Sequence, residues 1–197
     1  MATTSITHTS ALNAINTMLG TIGQSPVSSL ETPGLVDAVV AKLILSEITR
    51  DVLAEGWNFN TDYEYELAPD ISGFIIPGVN VLRIDTSLEY RTYDVVLRGS
   101  KLWDKYKKTF VFDKAIKFDI TWLLDFEDIP EAARRYITVR SSRIFQDRVM
   151  GSDTLHAYSQ DDEYRARANM ERNENITGNP SIFDSPDVSD IINRDYY

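Results

Sequence analysis

The sequence predicts an α+β protein, mainly an α-helical bundle with an antiparallel β insertion and an extended C-terminal tail. Apolar residues recur with helical spacing in residues 1–57 and 126–175, which we assign to the bundle. Residues 58–125 instead alternate apolar and polar side chains with the two-residue period of strands, which predicts the insertion. Residues 176–197 are rich in Gly, Pro, Asp and Ser, which predicts an extended docking tail.

Composition limits the class of protein. With 197 residues, 43% of them hydrophobic, the chain can bury a core without disulfides or metals to staple it. It contains no cysteine, which excludes thiolate metal sites and fits folding in a reducing cytosol. The N-terminal residues lack a signal-peptide pattern, and no run of about 18 apolar residues is present, so we expect neither secretion nor a membrane span. The net charge of −10 disfavours a dedicated DNA-binding protein.

Two helices are predicted before residue 57. The first ends at Gly23 and Pro26, which disfavour further helix, and its apolar face consists of Leu12, Ile15, Leu19 and Ile22. The second has Thr32 as a candidate N-cap, Pro33 in its first turn and Gly56 as its stop. Its wide apolar stripe consists of Val36, Val39, Val40, Leu43, Ile44 and Ile48. We expect the two helices to cover each other through this stripe.

The alternating pattern in the middle of the chain predicts strands. In TDYEYEL, Tyr63, Tyr65 and Leu67 alternate with acidic residues, as in a half-buried strand. Further strand-like runs are VLRID, YDVVLR, KTFVF and KAIKFDITWLL. The apolar face of the last run consists of Ile116, Phe118, Ile120, Trp122 and Leu124. Gly99-Ser100-Lys101 lacks the spacing of a phosphate loop and predicts a hairpin turn.

Helical spacing returns in DIPEAARRYITVRSSRIFQDRVMG, where Asp128 and Glu131 are placed as a capping pair and Gly151 as the stop. The next helix, SDTLHAYSQDDEYRARANMERNEN, is charged on most sides. Such a helix is usually solvated or paired with another subunit. Its sparse apolar positions are Leu155, Tyr158, Ala166 and Met170.

No residue pattern typical of an active site is present. His8 and His156 are the only histidines, and without cysteines to pair with they are expected to lie on the surface. Carboxylates cluster in two short runs, Asp125, Glu127 and Asp128, and Asp161, Asp162 and Glu163. Neighbouring carboxylates do not by themselves provide the separation of about 5–10 Å that a glycosidase needs. We predict no catalytic residue, no cofactor and no bound metal.

An aromatic and basic group lies in the β insertion. Its members are Tyr90, Tyr93, Trp103, Tyr106 and Phe110, with Lys105, Lys107 and Lys108. Such a group can form a stacking platform for nucleic acid. Aromatic residues in strands more often belong to a core or an interface, and the acidic net charge counts against nucleic acid. We therefore assign the group to the core or an interface.

The stretch NAINTMLGTIGQSPVSSLE resembles the opening signature of the tail tubular protein A family, the adaptor or gatekeeper proteins of short-tailed, podovirus-type bacteriophages. Gln24 stands where an acid is common in that family. Two further stretches, EGWNFN and DFEDIPEAARRYITVRSSRIFQDRVMG, match in order and spacing. The resemblance covers most of the chain and is weakest from 68 to 96 and in the tail.

The resemblance implies a structural virion protein of the phage tail, made in the bacterial host cytoplasm. It also implies a homo-oligomer ring of twelve copies between the portal protein and the tail nozzle, with the portal protein, the nozzle protein and the tail fibres as its partners. During genome ejection, DNA would pass through the lumen without specific binding, and an acidic wall suits this passage because it does not attract phosphates. No membrane partner is implied.

Two sets of residues are expected to make packing or docking contacts. Arg140 falls between Tyr136 and Ile144 within an apolar stripe, so it needs an acidic partner from the following helix or the next subunit. The alternative is that Arg140 extends to solvent along its own methylene groups. The tail residues expected to dock on the portal are Ile182, Phe183, Val188, Ile191, Ile192, Tyr196 and Tyr197. The alternative for the tail is that it folds back on its own subunit or stays disordered.

The sequence is also compatible with a second class of function, that of an enzyme. A glycan-hydrolysing tail component could use Asp125 and Asp128 to help the particle through the host envelope. Particle size distinguishes the two functions, because a connector joins a large ring whereas a hydrolase can work as a monomer.

Overall fold

The computed structural model describes residues 7–30, 36–151 and 153–177, the last range with its side chains from Gln160 onward. Its helices are α1 (Ala11–Thr21), α2 (Val36–Ala54), α3 (Glu131–Val149) and α4 (Asp153–Thr177). Its strands are β1 (Thr61–Leu67), β2 (Val81–Thr86), β3 (Val95–Arg98), β4 (Lys101–Asp104) and β5 (Ile116–Trp122). Along the chain, the strands come after α1 and α2 and before α3 and α4, and all their pairings are antiparallel. The predicted α+β class is therefore confirmed. Thr32 and Pro33 lie outside the described residues, as does the tail from residue 178.

Helix α1 begins at Ser10, whose hydroxyl accepts a hydrogen bond from the Asn13 N–H at 3.2 Å. Its buried face consists of Ala14, Ile15, Met18 and Leu19. After the helix ends, Gly23 takes a φ of 74° and the chain turns back. The Asn16 amide then holds the backbone of Val27 through two hydrogen bonds of 2.8 and 3.0 Å. The extended run after Pro26 is therefore fastened along the side of α1.

Helix α2 buries a different face from the predicted one. Its buried apolar residues are Ala41, Ile44, Leu45, Ile48, Val52 and Leu53. The stripe prediction is wrong for Val36, Val39 and Leu43, whose exposed fractions are 80%, 53% and 64%. The physical reason is that α1 and α3 pack against only one side of α2, and the apolar stripe is wider than that side.

Helix α3 lies at the centre of the bundle and packs against the other three helices. Its buried residues include Tyr136, Ile137 and Phe145. The predicted capping pair of Asp128 and Glu131 does not form, because Pro130 occupies the N-cap position and Asp128 lies in the preceding 3₁₀ turn. Glu131 instead accepts hydrogen bonds from the backbone N–H and the hydroxyl of Thr9. These bonds tie the segment before α1 to the start of α3.

The β strands form a second layer with its own core. Strand β5 lies between β1 and β2, and β3 and β4 form a hairpin closed by Gly99 and Ser100, as predicted. Ile116, Phe118 and Ile120 of β5 are fully buried in this core, while Trp122 is half-buried. The remaining buried apolar residues of the core are Ile75, Tyr93, Val95, Leu102 and Phe112.

Two strand predictions are wrong. KTFVF makes only isolated bridges through Thr109 and Val111, and the strand that pairs with β3 is KLWD, which the sequence pattern did not indicate. Strand β1 is present, but Tyr63 and Tyr65 are 66% and 43% exposed rather than half-buried on one face. The reason is that β1 lies at the edge of the sheet and neither of its faces is fully covered in the described part of the chain.

The EGWNFN stretch joins the two layers. The Asn60 side chain is buried and donates hydrogen bonds to the carbonyls of Leu53 in α2 and Trp122 in β5, at 2.9 and 2.8 Å. Its amide oxygen accepts from the Trp57 N–H at 2.8 Å. Gly56 lets the chain leave α2 toward this site by adopting a φ of 81°.

Gly56→Ala is expected to lower the free energy of unfolding by about 1–2 kcal/mol, because an L-residue in the left-handed region carries that cost. The new Cβ would also lie 2.6 Å from the Arg83 guanidinium, which would have to move. Urea denaturation followed by circular dichroism measures the change. Gly20→Ala is the matched control, since Gly20 lies within α1 with nothing within 4 Å of its Cβ position. We expect this control to stabilise the protein by about 0.5–1 kcal/mol, and equal effects at the two glycines would contradict the account.

Candidate functional site

The histidines and carboxylates singled out in the sequence do not converge on a reaction centre. Among the described residues, no group of three or more His, Asp or Glu side chains could hold a metal ion. His8 is exposed and lies 3.6 Å from Glu131, while the side chain of His156 is outside the described residues. The two histidines therefore provide no candidate base in the described structure.

Asp125 and Asp128 are both exposed and belong to one short turn, in which the Asp128 N–H donates to the Asp125 carbonyl at 2.9 Å. Asp125 lines a cavity of about 220 Å³ between α1, α2 and the segment after β5, but Asp128 is not on its wall. The two carboxylates therefore do not face each other across that cavity, as an acid and a nucleophile would need to. In the second acidic run, Asp161 and Asp162 are exposed, whereas Glu163 points into the helical layer.

Around Arg140, side chains from α2, α3 and α4 form a network of arginines and carboxylates. Arg140 lies 3.7 Å from a carboxylate oxygen of Glu55, at the end of α2, and 3.8 Å from one of Glu163, on α4. It also donates a hydrogen bond of 3.2 Å to the hydroxyl of Tyr136, and that hydroxyl accepts a second one from Arg167 at 3.3 Å. Both acidic neighbours thus belong to the same chain as Arg140.

The other two arginines of the network make its closest ion pairs. Arg143 donates to Glu163 and, at 3.2 Å, to Asp147. Arg167 donates to Glu55 and Glu171, each at 2.9 Å. These hydrogen bonds raise the pKa of both guanidinium groups above the usual value for arginine, so both stay charged at any physiological pH.

The ion pairs of this network hold α2, α3 and α4 together and do not form a reaction centre. Arg140, Arg143 and Glu163 are only 24%, 19% and 17% exposed, so their charges interact with little screening by solvent. The network fastens the polar helix α4 to α2 and α3, where few apolar side chains are available. Ile144, the third sequence-predicted packing residue, is half-buried against the helical core.

Of the residues in this network, the sequence pattern indicated Arg140 but not Arg143, Arg167 or Glu55. A signal was present in α4, where Glu163, Arg167 and Glu171 follow at intervals of four residues and place alternating charges along one face. The local sequence does not indicate the α2 partner of Arg167, because Glu55 lies at the end of a helix more than a hundred residues away in sequence.

The helical layer also exposes apolar side chains along α2. We call Val36, Val39 and Leu43 the outer apolar row, since their spacing places them on one side of the helix. Glu47, one turn further along, receives two hydrogen bonds of 2.9 Å from Arg148. That pair places the end of α3 beside the middle of α2, and Val149 and Met150 at this end are 42% and 53% exposed.

The tail residues predicted to dock on the portal cannot be placed, because Ile182, Phe183, Val188, Ile191, Ile192, Tyr196 and Tyr197 lie outside the described residues. A search of the described helices finds none that is long and apolar enough to cross a membrane.

Comparison with known proteins gives two matches. A family model described as "Tail tubular protein" matches residues 12–180. The chain is also similar to "Tail tubular protein A" of Klebsiella phage KP34, with 30% identity over 153 residues, covering 77% of this chain and 80% of the relative. Both matches span the helical layer and the β layer.

Proposed function

The chain belongs to the tail tubular protein family, whose members are structural proteins of the bacteriophage tail, and on this premise we propose that it is the portal adaptor. Several copies, twelve by the resemblance described above, assemble as a ring on the portal protein. The ring receives the tail nozzle and fibres, and its lumen forms part of the channel for genome ejection.

The observation that best supports this role is the outer apolar row. Burying a Val or Leu side chain contributes about 1.5–3 kcal/mol, so a helix that exposes three of them gains free energy when another surface covers it. The described part of the chain does not cover Val36, Val39 and Leu43. An adaptor has such a surface because it contacts neighbours on several sides, whereas a monomeric enzyme has no need of one.

The charge of the chain supports passage of DNA without specific binding. A total of −10 on each copy repels phosphates at long range, and several copies around one channel add their repulsion. A wall of the opposite sign would hold the genome by counterion release and slow its exit.

Electron microscopy of the purified protein mixed with its portal tests the proposal directly. We expect a ring of the protein stacked coaxially on the portal ring, with an open central channel. Portal rings that remain bare, with the protein monomeric beside them, would contradict the adaptor role.

The tail provides a further test on the same complex. Deleting residues 180–197 is expected to leave the melting temperature nearly unchanged and to weaken portal binding by about tenfold or more, because each apolar anchor buried in a partner contributes about 1.5–3 kcal/mol. Ile191→Ser with Ile192→Ser, in the full-length chain, keeps the tail's length and should weaken binding as well. Unchanged portal binding would refute the docking role, and a large loss of melting temperature would show that the tail folds back on its own subunit.

A further inference from the structure

Positive charge is concentrated in one part of the β layer. Residues 91–114 contain seven Lys and Arg against three Asp and Glu, a net charge of +4 in a chain whose total is −10. This segment includes β3, β4 and the turn that follows them, and we call it the cationic hairpin. Such a separation of charge within an acidic protein is typical of a surface that meets an acidic partner.

Most cations of the cationic hairpin lie over aromatic rings. The Arg98 guanidinium lies 4.6 Å from the ring centre of Trp103, and the amines of Lys101 and Lys107 lie 3.5 and 4.8 Å from those of Phe74 and Tyr93. Lys114 lies 5.3 Å from the ring centre of Tyr90. No described carboxylate lies within 4.0 Å of these four cations. The rings position the cations without neutralising them, so their charge remains available to a partner.

Strand β1 has the opposite charge and an open edge. Asp62, Glu64 and Glu66 are exposed along it, with Tyr63 and Tyr65 exposed between them. Asp62 accepts a hydrogen bond from the Trp122 indole at 2.8 Å, and Glu64 pairs with Lys117 at 3.3 Å, an arrangement that leaves the edge acidic. One side of β1 pairs with β5, and the other side has no strand beside it in the described structure.

The two surfaces belong to different sheets of the β layer. Strand β1 is an outer strand of the three-stranded sheet β1-β5-β2, whereas β3 and β4 form a separate two-stranded sheet that shares its core with β5. A hydrogen bond from the Thr86 hydroxyl to the Tyr93 carbonyl, at 3.1 Å, joins the segment before β3 to the end of β2. Among the described residues, no ion pair joins the cationic hairpin to β1 of the same chain.

We propose that the cationic hairpin docks on the acidic β1 edge of a second copy of this chain. The contact is head-to-tail, so every copy offers one surface of each kind and the assembly continues from copy to copy. The exposed tyrosines of β1 add apolar area and hydroxyl groups to the contact. This inference rests on the proposed assembly of several copies and names the contact that joins them.

Nucleic acid is the competing partner for a basic and aromatic surface. Two observations favour the second copy. The rings of Trp103 and Tyr93 each have a cation of the hairpin over them rather than being open to bases, and the rest of the chain is acidic enough to oppose a long polyanion. The acidic complement, in contrast, is present on every copy.

Charge reversal tests the contact from both sides. The hairpin variant carries Arg98→Glu and Lys107→Glu, and the edge variant carries Glu64→Lys and Glu66→Lys. Sedimentation velocity of the full chain, with and without purified portal rings, should show assembly weakened by about tenfold or more in each variant, because like charges then face each other. An equimolar mixture of the two variants should recover assembly, since each reversed surface then meets its complement on the other variant.

The control variant carries Arg135→Glu and Arg165→Glu, which make the same charge change as the hairpin variant but at exposed helical positions, and it should assemble like the wild type. Circular dichroism melting shows which variants are folded. If only one of them folds, the hairpin variant alone tests the cationic hairpin, or the edge variant alone tests the β1 edge. Assembly of a folded hairpin or edge variant at wild-type strength would overturn the proposal, as would failure of the mixture to recover. A wild-type chain that stays monomeric even on portal rings would overturn the proposed ring and this contact together. Binding of a labelled DNA duplex that is lost only in the hairpin variant, with assembly unchanged, would assign the hairpin to nucleic acid.

Discussion

Ile44→Ala is expected to lower the free energy of unfolding by about 2–5 kcal/mol, the range for removing a large aliphatic side chain from a close-packed core. Ile44 is 2% exposed and belongs to the helical core that α1, α2 and α3 share. The substitution removes its contacts and leaves a cavity that the neighbouring helices can fill only in part. Urea denaturation monitored by circular dichroism measures the loss.

Leu43→Ala is the matched control, one residue away on the same helix. Because Leu43 is 64% exposed, we expect its replacement to change the free energy of unfolding by no more than about 0.5 kcal/mol. If the outer apolar row is covered in the assembly, the same variant should weaken ring formation on the portal. Similar losses of stability for Leu43→Ala and Ile44→Ala would mean that α2 does not bury the face of Ile44 while exposing that of Leu43.

Glu163→Gln is expected to lower the free energy of unfolding by about 1.5–3 kcal/mol, the contribution of a hydrogen bond to a charged group. Glu163 accepts a hydrogen bond from Arg143 and lies 3.8 Å from the Arg140 Nε atom, which is buried and has no hydrogen-bond partner among the described residues. Glutamine keeps the size of the side chain but removes its charge, so two partly buried guanidinium groups lose their closest shared counter-charge.

The ion pair of Glu47 and Arg148 serves as the comparison, since it joins α2 and α3 but its side chains are 46% and 51% exposed. Glu47→Gln should cost much less than Glu163→Gln because solvent screens an exposed pair. In a double-mutant cycle, Arg140→Ala and Glu163→Gln should be non-additive, whereas Arg148→Gln and Glu163→Gln should add. Additive losses of stability for the Arg140 and Glu163 substitutions would mean that these two residues are not coupled, and that a coupled network does not hold α4 on the other helices.

Several features followed from the sequence because they depend on residues close together in the chain. The helical spacing of α1, the alternation of β5 and the hairpin turn at Gly99 and Ser100 are all local, and the structure contains each of them. The resemblance to tail tubular proteins also followed from ordered local stretches, and the comparisons confirm it. Composition and local pattern were therefore sufficient for the fold class, and the resemblance of three ordered stretches to known proteins indicated the family.

Other features were decided only by the tertiary structure. Periodicity indicated which side chains of α2 and β1 are apolar, but the number of neighbours determines which are buried, so Leu43 and Tyr63 are exposed despite their pattern. Asp128 had the spacing of a cap, yet the 3₁₀ turn before Pro130 removed it from that position. The pairing of Glu55 with Arg167 joins residues 112 apart in sequence. Burial and ion pairing depend on which elements meet in space, and no short stretch of sequence contains that information.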